Sequence, residues 1–144
     1  MEISKYTLSL TRLGALAFGF LIITAVVIAN RGEGDSWWSF IHHIPYGDKI
    51  GHIGLSATLS FLCNLAFPNF RIRHLPRLLT ATTFVLFILI SLEEISQAFI
   101  PTRSCNFFDW LADLVGLAIG QISAITLLRF LPKKETPPIK TQLT

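Results

Sequence analysis

Charge is what this sequence has least of: Asp, Glu, Lys and Arg make up 15% of its 144 residues, against 51% hydrophobic. With a mean hydropathy of +0.56, there is too little polar surface to cover a soluble globule, so lipid must solvate much of the chain. Chemical signatures are equally sparse. There is no His or Cys ligand spacing of the zinc type, no Gly-rich phosphate loop, no GxSxG elbow and no HExxH pair, which removes the familiar metal, nucleotide and hydrolase motifs. The formal charge of +3 does not imply nucleic acid, because the basic residues flank apolar segments and never alternate with aromatics. The length fits one domain.

What is present is four apolar runs. The first, 13–29, is uncharged, with Lys5 and Arg12 before it and Asn30, Arg31 and Glu33 after it. Its length and the poor cleavage site Val27-Ile28-Ala29 favour an uncleaved anchor over a signal peptide. The second, 50–67, carries only His52 and Asn64 and stops at Pro68, and Asn64 is expected to cap it. Arg71, Arg73, His74, Pro76 and Arg77 form a polar turn. The third starts at Leu78 and is uncharged to Leu92, then meets Glu93, Glu94 and Gln97 before Pro101. The fourth, 107–131, opens with Asp109 and Asp113 and closes at Arg129 and Pro132. A bilayer core about 30 Å thick needs roughly 20 residues per span, so these runs predict an all-α integral membrane bundle of four transmembrane helices over 1–132. The remainder, 133–144, reads as a disordered tail.

Basic residues set the orientation, because Lys and Arg near span ends stay in the cytoplasm. Lys5, Arg12, Arg71, Arg73, Arg77, Arg129, Lys133, Lys134 and Lys140 fall on one side, and only Arg31, Lys49 and Arg103 on the other. Both termini are therefore expected in the cytoplasm. Trp37, Trp38 and Tyr46 suit the outer headgroup layer.

This topology gathers the ionisable residues at one end. Asp48, Lys49 and His52 begin helix two, Glu93, Glu94 and Gln97 finish helix three, Asp109 and Asp113 begin helix four, and Arg103, Ser104 and Asn106 lie in the loop between. A rise of 1.5 Å per residue puts His52 about 6 Å below Asp48, in shallow hydrocarbon. Residues three or four apart share a face, so Asp48 goes with His52, Glu93 and Glu94 with Gln97, and Asp109 with Ala112, Asp113, Gly116 and Gly120. The small residues in the last series let a neighbouring backbone approach and turn the two aspartates inward. An ionised carboxylate facing acyl chains costs several kcal/mol, so pairing with Lys49, Arg103 or His52 is expected. Cys63 and Cys105 are not expected to pair, since Cys63 lies about 16 Å along the helix from His52 and Cys105 is in the outer loop.

Three segments carry a resemblance: Asp48-Lys49-Ile50-Gly51-His52, the stretch from Glu94-Ile95-Ser96-Gln97 through Pro101-Thr102-Arg103-Ser104, and Asp109-Trp110-Leu111-Ala112-Asp113-Leu114-Val115-Gly116. In order and spacing they resemble the VanZ-like membrane proteins, over about residues 45–125. Thr102 and Asp113 stand where that family more often has Gly and Asn. The resemblance implies a small multi-pass protein of the bacterial inner membrane, in a family named for a member linked to resistance to the glycopeptide teicoplanin. It implies no reaction.

Three functions fit the cluster. The first is recognition of a lipid headgroup or lipid-linked envelope precursor, with Lys49 and Arg103 on its phosphates and Asp48 and Glu94 fixing those cations. The second is an enzyme on a polyprenyl or phospholipid phosphate. His52 or Glu94 would be its base and Arg103 its clamp, with Asp109, or a divalent ion on Asp109 and Asp113, assisting. The third is a proton-coupled transporter or an assembly subunit, weakened by the lack of ionisable residues at mid-depth. No cofactor is expected. A purely structural set of ion pairs is the competing explanation of the whole cluster.

Overall fold

A computed structural model describes residues 5–33, 44–68, 70 and 79–130, and among them there are four α-helices and no strand. The helices are α1 (Lys5–Asn30), α2 (Gly47–Ala66), α3 (Ala81–Gln97) and α4 (Phe107–Phe130). Trp37, Trp38, the turn at Arg71–Arg77, Leu78 and the segment 133–144 lie outside the described residues. Of the four, α1 from Tyr6 and α4 are long and apolar enough to cross a membrane.

The packing is inverted relative to a water-soluble bundle. Ser56, Ser60, Asn64, Thr82, Thr83 and Gln121 are buried, while Leu16, Phe20, Leu89, Leu92, Val115 and Ile122 are exposed. Bundles in lipid are built this way, because small and polar groups bind helices together where no hydrophobic force does so. The main contact is α2 on α4. At Gly116 a Cβ would strike Ser56 and the Ile53 carbonyl, and at Gly120 it would strike the Ala57 carbonyl and the Phe61 amide. Backbone meets backbone there, and Ser60 Oγ donates to the Leu117 carbonyl across the seam at 2.9 Å. Leu65, Ala124 and Leu128, with Phe61, make the small apolar core near the far end.

A polar knot joins α2, α3 and α4 at that end. Thr80 Oγ1 donates to Asn64 Oδ1 at 2.6 Å, Asn64 Nδ2 donates to Thr83 Oγ1 at 2.9 Å, and the Thr80 amide donates to Gln121 Oε1 at 3.0 Å. Asn64 therefore does not cap α2: it is buried inside the bundle, and the closing bond runs from the Phe67 amide to the Cys63 carbonyl. The amide side chain is taken by the Ser60 carbonyl one turn back and by Thr80 and Thr83 at the start of α3, so it does not close its own helix end. α1 packs mainly on α2, where Arg12 donates to the Ala66 carbonyl at 3.4 Å and lies over the Phe67 ring. A cation at a helix C-terminus meets its unpaired carbonyls.

These contacts fix an up-and-down order. The start of α2, the end of α3 and the start of α4 share one end with the end of α1, where Thr102 Oγ1 donates to the Asn30 carbonyl at 2.8 Å.

Candidate functional site

At that shared end the helices enclose a cavity of about 500 Å³. Its polar half is lined by Asp48, His52, Glu93, Gln97, Arg103, Ser104, Asp109 and Asp113. Its deeper walls are apolar, from Leu21, Ile22 and Val26 of α1, Leu55 and Leu59 of α2, and Ile90 of α3. Eight of the ten residues singled out above thus face one space. Lys49 and Glu94 stand behind the wall.

Most of these groups project from helices and are held by a neighbour, while Arg103 and Ser104 come from the α3–α4 loop. Lys49 Nζ bridges two helices, donating to Asp48 Oδ2 at 2.6 Å and to Asp109 Oδ1. Asp48 and Lys49 lie at the mouth, before the apolar run of α2. The hydrogen bond from Lys49 holds the Asp48 carboxyl below its ordinary value. Burial works against the Lys49 ammonium, but the bonds to Asp109 and Asp48 outweigh it and raise its pKa. One turn deeper, His52 Nδ1 lies 3.0 Å from Asp113 Oδ2, an Asp–His pair made across the α2–α4 seam. The Ser56 hydroxyl points away from it, donating to the His52 carbonyl at 2.6 Å.

The two glutamates of α3 part company. Glu94, 3% exposed, accepts from the Asn106 amide at 2.6 Å and from Gln97 Nε2 at 3.2 Å. It therefore secures the α3–α4 loop and does not fix Arg103. Glu93 turns to the cavity: its Oε2 accepts from Gln97 Nε2 at 2.9 Å, and its Oε1 lies 3.9 Å from Arg103 Nη2. Asn106 reads as a loop residue in the sequence, yet its Oδ1 accepts from the Phe108 amide at 3.0 Å and starts α4. The signal was legible, as Asn is a strong N-cap residue. No local pattern gives Trp110 a role, but its Nε1 donates to Ser91 Oγ at 3.0 Å and holds α3 against α4.

Among the described residues no group of three or more His, Cys, Asp or Glu side chains is arranged to hold a metal ion. Asp109 and Asp113, the pair considered for a divalent ion, are engaged separately by Lys49 and His52. Cys63 and Cys105 are both free thiols. The site thus offers a guanidinium, several carboxylates and an oriented imidazole at the head of an apolar slot.

No curated protein and no solved structure matches the chain. A family model described as VanZ/LLP1 matches residues 6–129, a stretch that holds every residue of the cavity. Together with two helices of membrane-crossing length and composition, the match points to a membrane protein, and the chain belongs to the VanZ/LLP1 family.

Proposed function

We propose that the chain is a four-span protein of the bacterial inner membrane, with both termini in the cytoplasm, whose outward-facing cavity binds a phosphate-bearing lipid or lipid-linked envelope precursor. The observation that carries this reading is the division of one cavity into a charged mouth and an apolar floor, which matches a headgroup and the start of its chain. The inside-out packing supports the membrane setting, and the one-sided distribution of Lys and Arg supports the orientation. Arg103 is the phosphate ligand in this reading. Lys49 is already committed to Asp48 and Asp109. Sequestering a cell-wall lipid at the outer leaflet also gives a route to the glycopeptide response that the family resemblance implies.

The test is mass spectrometry of lipids retained by the purified protein and by Arg103→Ala. We expect a phosphate-bearing lipid on the wild type and at least about a tenfold loss in the variant, the equivalent of about 1.4 kcal/mol. Equal retention removes Arg103 from the role.

The Asp113–His52 pair favours a second reading, since a carboxylate that orients an imidazole prepares it as a general base. In that case the protein is an enzyme acting on a lipid phosphate. Headgroup release from polyprenyl or phospholipid phosphates, abolished in His52→Ala, decides for it.

A further inference from the structure

Two groups on the cavity wall have unused hydrogen-bonding capacity, and they are of opposite charge. The Arg103 side chain is 20% exposed, yet its guanidinium makes no hydrogen bond to any described residue. Its nearest counter-charge, Glu93 Oε1, stands 3.9 Å away, past hydrogen-bond length. Glu93 Oε1 is itself out of contact with solvent and accepts no hydrogen bond among the described residues. A half-made pair of this kind leaves a desolvated acceptor beside a donor with open hydrogen-bonding capacity.

The other charges on the wall are occupied. Lys49 holds Asp48 and Asp109, and His52 faces Asp113. Carboxylates are in excess, with Asp48, Glu93, Asp109 and Asp113 set against Arg103, Lys49 and the His52 imidazole. A purely anionic headgroup would gain Arg103 and meet that acidic excess at close range, where salt screens little. A headgroup carrying phosphate and ammonium a short spacer apart satisfies both open groups at once.

Resting on the amphiphile reading above, we infer that the cavity selects a zwitterionic lipid, its phosphate on Arg103 and its ammonium on Glu93, in chemical class an aminophospholipid. The phosphate takes the open edge of the guanidinium, and the ammonium approaches the Glu93 carboxylate from the cavity that both residues line.

The experiment reconstitutes the full chain with vesicles of phosphatidylethanolamine and phosphatidylglycerol of matched acyl chains in equal amounts, and quantifies the lipid that copurifies. The wild type is expected to retain the ethanolamine lipid over the glycerol lipid by about tenfold, the equivalent of about 1.4 kcal/mol. Glu93→Gln, which keeps the shape and removes the charge, should bring the ratio close to one. The wild-type ratio needs no variant to fold. Equal or greater retention of phosphatidylglycerol by the wild type overturns the inference and leaves the amphiphile pocket standing, whereas retention of neither lipid overturns both. An unchanged preference in Glu93→Gln removes the ammonium from Glu93. Soluble phosphoethanolamine should compete poorly, because it lacks a chain for the apolar walls; competition equal to the lipid's assigns the site to a free zwitterion and overturns the lipid occupant.

Discussion

Lys49 is the residue on which the mouth of the cavity depends, because it holds together two carboxylates from different helices. Lys49→Met leaves Asp109, with its side chain 17% exposed, beside Asp48 and without its cation, which should cost about 1–3 kcal/mol in detergent unfolding. Asp109→Asn in the same chain should recover part of that loss, giving a coupling energy of about 1 kcal/mol in a double-mutant cycle. The pH dependence has a definite sign. The depressed Asp48 carboxyl contributes stability that is present above its ordinary value of 3.8 and lost as pH falls through the lower folded value. The raised Lys49 ammonium contributes stability that is present below its ordinary 10.5 and lost as pH rises through the higher folded value. The gap between wild type and variant should therefore stay flat through neutral pH and narrow at both extremes. Helical spacing alone makes Asp48 and His52 neighbours on α2, and Asp109 and Asp113 on α4. It could not separate Glu93 from Glu94, which lie about 100° apart on the helix. Which one meets the cavity is settled by the Asn106 amide, twelve residues further on, taking Glu94.

Helix α4 works as an element because of the side it gives to α2. Gly120→Ala drives a methyl into the Ala57 carbonyl and the Phe61 amide, backbone atoms that cannot swing aside, so we expect a loss of about 1–3 kcal/mol. Gly54→Ala, where a Cβ meets nothing within 4 Å, should instead stabilise α2 by about 0.5–1 kcal/mol. Thermal unfolding of both variants in one detergent checks the pair, and a similar loss at both sites would contradict the close seam. The four-residue period of Ala112, Gly116 and Gly120 announced such a seam, but nothing local named α2 as the partner. Asn64 shows the opposite limit. A lone Asn near a helix end reads as a cap, and only the arrival of Thr80, Thr83 and Gln121 from elsewhere in the chain makes it an interior knot.

In the whole molecule, the four helices were legible from the apolar runs and their Pro and polar stops, whereas the cavity was not. Its volume exists because α1 leans mainly on α2 and leaves space on its other side, an arrangement of helices that no periodicity encodes. The proposed orientation can be tested with the protein's own thiols. Cys105 is exposed at the cavity end and Cys63 is half-buried further down α2. A membrane-impermeant maleimide added to intact spheroplasts should modify Cys105 and spare Cys63. Labelling of Cys105 only after the membrane is broken would reverse the topology.

The central claim is that a single amphiphile occupies the cavity, and Ala25→Trp addresses it most directly. Ala25 lines the apolar half, so the indole fills the space meant for the chain and changes no charge at the mouth. Native mass spectrometry of the two proteins should find a lipid on the wild type and at least about tenfold less on the variant, with helix content unchanged. Equal lipid on both would contradict the account.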